Sequence, residues 1–322
     1  MFPRRVTRWR RGVVFLARRV LPWIVALGIL SVLLRRAGGP ALRDAVREAN
    51  LGLLIGATIV CTIGMFLLDA LSLSRVVSWF NCPTSAREIA PVKAAAYLIN
   101  IINYNAGSGA IALWLARHKG IPFFESAASV LFINVVDALV LVGFMAVAWP
   151  ALEPPIASAV AAIVGVTALV FAATLLYWRQ GANFLVLGRV RGWPIFKSFR
   201  EARLSHYARL AAIRAPFDLL FILNHWFGLI AFGIDVPVIQ VLAFIPVISF
   251  IGIVPITVAG LGTVQAATVF LFLPYAPEAR ILAFSLVLTV ALNGIRALLG
   301  VPVFQRVSED VVRGGPPESK TV

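Results

Sequence analysis

Five groups of polar residues interrupt an otherwise apolar chain at spacings that could do chemistry. Arg214, Asp218 and His225 lie four and seven residues apart, so one helix face would carry all three. Asn134 precedes Asp137, and Asn293 precedes Arg296, by a single helical turn. Residues 94–120, AAAYLINIINYNAGSGAIALWLARHKG, gather Asn100, Asn103 and Asn105 ahead of Gly107 and Gly109, then close on Arg117, His118 and Lys119. Residues 254–267, VPITVAGLGTVQAA, place Pro255, Thr257, Gly260, Gly262, Thr263 and Gln265 in a second break of the same kind.

These residue types suit recognition better than bond-breaking. Glycine lets a backbone approach a ligand closely, and the unpaired N–H groups at the start of a half-helix attract an anion. Residues 260–263 and 107–109 could present such groups to an anion from two sides. Arg214 with Asp218 reads either as a polar track or as an ion pair near an interface, and His225 as a ring packed on a neighbouring helix. The sequence contains no HExxH, no P-loop, no Ser–His–Asp ordering and no paired acid cluster. Two cysteines and three histidines supply neither a disulfide framework nor a metal set. The chain is therefore expected to be no enzyme and to need neither metal nor cofactor.

The elements that position these groups follow from composition. Of 322 residues, 60% are hydrophobic and 13% charged, with mean hydropathy +0.91, more apolar surface than a soluble core of this size can hide. The fold class is an all-α polytopic membrane protein. Apolar runs at 51–70, 126–149, 156–178, 214–233 and 280–303 each approach the ~20 residues that cross hydrocarbon. With a retained first helix after the arginine-rich leader, that makes about six full spans. The stretches 94–120 and 237–274 are apolar on both sides of a Gly-containing break. Backbone that leaves helical geometry at membrane depth must be buried or line a wet cavity, and two re-entrant hairpins meet that condition. The alternative is that their small residues merely permit close helix packing.

The formal charge of +15 is concentrated between apolar runs and serves as a topology signal rather than a nucleic-acid surface. Arg75, Arg87, Lys93, Arg117 and Lys119 place the first hairpin on the cytoplasmic side, and the cation-rich 179–209 connection pins itself there too. The second hairpin lies between GIDVP and PYAPEAR and dips from outside. Residues 35–48 dissent, holding four arginines while facing outward. Two interrupted segments about 153 residues apart, entering from opposite faces, are the pointer to an inverted repeat with a binding site at the midplane. Phe196, Phe199 and Tyr207 among basic residues suggest an interfacial helix over 195–211.

YLINIINYNAGSGAIALWLARHKGIPFFESAASVLFINVVDALVLV, followed by IPVISFIGIVPITVAGLGTVQAATVF, resembles the membrane domain of bacterial lysylphosphatidylglycerol synthases, a flippase-like integral membrane family. Gly109, Arg117, Gly120 and Asp137 fit its first motif, while Ala110 replaces the usual acid and Asn134 the usual arginine. Pro255, Gly260, Leu261 and Gly262 fit the second, with Gln265 at the usual glutamate. The resemblance implies movement of a phospholipid, or of a modified anionic or aminoacylated lipid, between leaflets of the bacterial inner membrane. Taken with the polar spacings above, these motifs give a candidate substrate path through Asn103, Asn105, Gly107, Gly109, Arg117, Asn134, Asp137, Arg214, Asp218, Thr257, Gly260, Gly262, Thr263, Gln265, Asn293 and Arg296.

The expected organisation is a basic cytoplasmic leader over 1–20, one transmembrane domain over 21–304, and a polar cytoplasmic tail over 305–322. Expected partners are membrane phospholipids, anionic ones above all, and a separately encoded lipid-modifying enzyme; nucleic acid is not among them. The competing classes are a non-transporting membrane scaffold, which would tolerate polar substitutions in both hairpins, and an intramembrane lipid transferase, which would make a new lipid. The topology gives the first test: single cysteines at Glu153 and Pro277 should label from outside in intact cells, and one at Arg191 only after permeabilisation. Labelling of all three from one side contradicts opposed hairpins.

Overall fold

A computed structural model describes residues 26–102, 104–180, 192–253 and 261–313, which are helical with short turns and contain no strand. In chain order the helices are α1 (26–37), α2 (Gly39–Glu48), α3 (Leu51–Phe80), α4 (Ala86–Ile102), α5 (Tyr104–His118), α6 (Phe123–Ala148), α7 (Pro154–Gln180), α8 (Lys197–Glu201), α9 (Leu204–Ala231), α10 (Val238–Ile253), α11 (Thr263–Phe272) and α12 (Glu278–Arg313). Four of them, α3, α6, α7 and α12, are long and apolar enough to cross a membrane. A fifth long helix, α9, has 28 residues but carries Arg214 and Asp218 at its middle.

The two interrupted stretches fold as pairs of short helices. α4 and α5 have 17 and 15 residues, α10 and α11 have 16 and 10. At 1.5 Å per residue each arm is shorter than the ~30 Å hydrocarbon layer. α4 packs on α5 and α10 on α11, so each pair is a hairpin.

The chain repeats its packing plan. α3, the first hairpin and α6 correspond to α9, the second hairpin and α12. Under that exchange α4 against α12 becomes α10 against α6, α3 against α4 becomes α9 against α10, and α5 against α6 becomes α11 against α12; every one of these contacts is present. The shared axis lies between α3 and α9, which run antiparallel. The Asn50 N–H donates to the Ala231 carbonyl at one end, and Trp79 stacks on His206 at the other. α7, almost none of it buried, connects the halves from outside. The two long helices between α3 and α9, α6 and α7, leave α9 running opposite to α3 and so invert the second half.

Each end of the bundle has its own apolar core, drawn from both halves. The first lies around Leu73, Leu115, Phe132 and Leu210, at the end of the bundle where Lys119 pairs with Glu88 and Lys197 with Glu125. The second lies around Leu54, Leu229, Phe272 and Phe284, at the opposite end. Between the two cores α3, α6, α9 and α12 carry charged residues near their midpoints.

Four differences from the sequence reading have physical reasons. The long helices overrun the apolar windows, because hydropathy marks only the stretch that faces hydrocarbon. α12 runs through Arg313, past the boundary expected at residue 304, with Val307 buried in the first core. The arginines of 35–48 belong to α1 and to the amphipathic α2. Arg35, Arg36, Arg43 and Arg47 are exposed, while Leu42, Ala45 and Val46 turn to the second core. The interfacial helix expected over 195–211 is instead the five-residue α8 and the start of α9, and Phe199 and Tyr207 are buried against Phe132.

Close backbone approach holds the α4–α12 contact. A Cβ on Gly300 would lie 2.5 Å from the Ala94 carbonyl oxygen and 2.7 Å from Leu98 Cγ, whereas one on Gly294 of the same helix meets nothing within 4 Å. Gly300→Ala should therefore lower stability by ~1–3 kcal/mol. Gly294→Ala should leave it unchanged or raise it by up to ~1 kcal/mol through helix propensity. Thermal unfolding of both variants in detergent distinguishes them, and equal midpoints would contradict the packing.

Candidate functional site

The charges between the two cores converge on one cluster. Asp69, the sole acid in the α3 run, sits opposite Arg214 in the antiparallel α3–α9 register. Arg214 Nη1 donates to Asp69 Oδ1 at 3.0 Å, and its Nε donates to Asp137 Oδ1 at 2.6 Å. The other terminal nitrogen of Arg214 pairs with the same Asp137 oxygen. Lys93 Nζ donates to Asp69 Oδ1 at 3.0 Å, and Tyr97 Oη reaches Asp69 Oδ2 at 3.4 Å. The Arg214 side chain is 4% exposed and its guanidinium also covers the Phe217 ring at 3.6 Å.

Helix geometry explains why these groups meet. Lys93 and Tyr97 are one turn apart on α4, so both face α3. Arg214 and Asp218 are one turn apart on α9, flanking Pro216. A proline there removes the N–H that would bond the Ala212 carbonyl and loosens the helix beside the cluster. Asp218 is 2% exposed, with Oδ2 buried and unpaired among the described residues.

Arg296 enters from α12. Its guanidinium lies 5.5 Å from the centre of the Tyr97 ring, its Nε is buried without a hydrogen-bond partner, and no carboxylate stands within ion-pair distance among the described residues. Three acids, Asp69, Asp137 and Asp218, thus face three cations, Lys93, Arg214 and Arg296. The set is formally neutral and draws on both halves of the repeat. Such charges at membrane depth are costly unless paired and mark functional sites.

The sequence-derived residues distribute unevenly around this cluster. Asp137, Arg214, Asp218 and Arg296 are in it. Asn134 and Asn293 are half-buried one turn before Asp137 and Arg296, and Asn134 has a partner of its own. Gly107 lets the hairpin arms touch, since a Cβ there would strike Asn100 Oδ1, while Gly109 has open space. Arg117 is exposed in the last turn of α5, at the Lys119–Glu88 end, outside the cluster. Asn103, Thr257 and Gly260 lie outside the described residues, and of Asn105 only the backbone is described.

The second break has a structural explanation where it is described. Gly262 has φ +86°, a conformation that side chains rarely adopt, and a Cβ there would lie 2.9 Å from the Ala26 carbonyl oxygen. Gln265 is buried, accepts the Gly262 N–H at 2.7 Å and reaches Thr289 Oγ1 at 3.5 Å. It caps the start of α11 and ties it to α12, in place of facing an open path. Thr263, half-buried, begins α11 and is likewise partnered. His225 Nδ1 donates to the Phe221 carbonyl of its own helix at 2.8 Å, as a packed ring would.

A family model described as lysylphosphatidylglycerol synthase TM region matches residues 19–300. The chain belongs to that family. No curated protein and no solved structure matches it. The resemblance drawn from the sequence implies an arginine one turn before the aspartate of α6, where this chain has Asn134. Here a guanidinium reaches Asp137 from α9, as Arg214.

Sequence reasoning missed Asp69, Lys93 and Tyr97. Asp69 had a usable signal, a lone acid inside an apolar run. Lys93 reads as one more topology cation, and only the fold turns it inward.

Removing one partner of a buried ion network leaves uncompensated charge, at a cost of ~3–5 kcal/mol. Arg214→Gln should be destabilised by that order, and Arg214→Gln/Asp137→Asn should recover part of it. Unfolding midpoints in detergent test this, and a double variant no better than the single would contradict the pairing.

Proposed function

We propose that the protein moves a phosphate-bearing lipid, anionic or aminoacylated, between the leaflets of the inner membrane, with its headgroup passing through the charged cluster. Family membership ties the chain to lipid metabolism or transport; the passage of a headgroup is our reading. The observation that carries it is Arg296, a cation held over Tyr97 and unmatched by any carboxylate in ion-pair reach among the described residues. A phosphate is the natural partner for such a guanidinium. The unpaired Asp218 oxygen, one turn from Arg214, is an acceptor for an ammonium, so a headgroup carrying both signs has a counterpart for each.

The cluster also supplies what a crossing headgroup needs. Lipid tails offer a polar group no partner, so a headgroup at mid-depth must exchange water for protein charge. Lys93 and Arg214 already share Asp69 between them, and a phosphate arriving at either releases that carboxylate to the other. Inverted halves meeting at one midplane site are the architecture through which transporters expose a site to each side in turn.

Reconstitution in liposomes with fluorescent lipids of differing headgroup, scored by dithionite access, tests the reading. Wild-type protein should speed the movement of phosphate-bearing lipids over empty liposomes. Arg296→Gln should slow it at least about tenfold with the unfolding midpoint retained. A protein no faster than empty liposomes for every headgroup would overturn transport and favour a scaffold.

A further inference from the structure

α4 presents two adjacent stripes. Lys93 and Tyr97 face the charged cluster, while Val92, Ala95, Ala96 and Ile99, at helical spacing, face away from it. The second stripe lines a hollow of about 220 Å³ closed by Ala110 of α5 and by Phe304 of α12. It exceeds the ~150 Å³ of apolar cavities that stay dry and take up benzene. Three alanines leave the space that larger side chains would fill.

The lining excludes water and admits hydrocarbon. Its one polar side chain, Ser308, is satisfied by donating to the Gln305 carbonyl at 2.8 Å. A water inside would find at most the Ser308 oxygen, short of the two to four polar partners it needs. At the rim Leu113 and Phe304 are 39% and 40% exposed, so the hollow opens on the side of the bundle, the direction from which acyl chains reach a spanning protein. It extends from Ile99, near the hairpin turn, to Val311, near the end of α12. Its inner end therefore adjoins the depth of Tyr97 and Arg296, and its outer end approaches the basic end of the bundle.

We propose that this groove seats one acyl chain of the lipid whose headgroup engages the charged cluster, an inference that rests on the lipid-moving reading above. A lipid lying across α4 places its phosphate on the Lys93 stripe and its chain on the Ala95 stripe. The protein then grips the substrate at both ends, in place of letting the chain trail through bulk bilayer.

The test uses full-length protein in liposomes containing phosphatidylglycerol with a diazirine in one acyl chain. After illumination, adducts should concentrate on peptides covering 92–99, 110–113 and 304–311. Ala95→Phe and Ala110→Phe, filling the groove from opposite walls, should each lower that yield about tenfold with the unfolding midpoint preserved in at least one. Adducts spread evenly over the exposed Val60, Leu169 and Val290, unaffected by either substitution, would overturn the groove. Protein–protein cross-links there, showing a second copy as occupant, would overturn it too. The two readings fail separately: wild-type transport without groove adducts sinks the groove alone, and groove adducts without transport sink the transport reading.

Discussion

A guanidinium buried at the middle of a membrane helix is the constraint around which this molecule is organised. Arg214 cannot shed its charge, and at that depth it must find carboxylates. It finds Asp69 on α3 and Asp137 on α6. α9 is thereby fixed between two helices of the other half. The same Asp69 draws in Lys93 and Tyr97 from the first hairpin, so the charge that positions the halves also positions α4. The apolar cores on either side have no buried residue in common and pack as separate clusters. Packing alone supplies rigidity at the two ends; polar pairing sets how the ends are joined.

That division suits a site that must serve two faces. Dispersion and close packing have no partner to exchange, but ion pairs do. A layer in which two cations share one carboxylate can accept an anion by redistribution, with less cost than breaking an isolated pair. Pro216 beside Arg214 weakens the helix at the same level. The glycines contribute differently. Gly107, Gly262 and Gly300 bring backbones together at the hairpins, and their service is geometric rather than chemical.

Much of the fold was legible because it is dictated by solvent. Apolar run length fixed the long helices, and Gly/Pro/Asn interruptions marked both hairpins. The site was half legible. Asp137, Arg214, Asp218 and Arg296 stand out as ionisable residues inside apolar runs. What could not be read was partnership. Nothing in the local pattern pairs Arg214 with residues 145 and 77 positions away, and Lys93 looks like any interfacial cation until α4 is packed on α3. Gln265 misleads in the opposite direction. Its place in a Gly-rich break suggests a ligand contact, whereas its amide is consumed by capping α11 and binding Thr289.

The central claim is that the charged layer holds a lipid phosphate, with Arg296 as the cation free to take it. The most direct measurement is native mass spectrometry of the protein with phosphatidylglycerol and with diacylglycerol, which has the same tails and no phosphate. The account predicts that wild-type protein retains phosphatidylglycerol preferentially, and that Arg296→Gln retains both equally. Retention governed by tails alone, with no difference between the two lipids or between the two proteins, would contradict it.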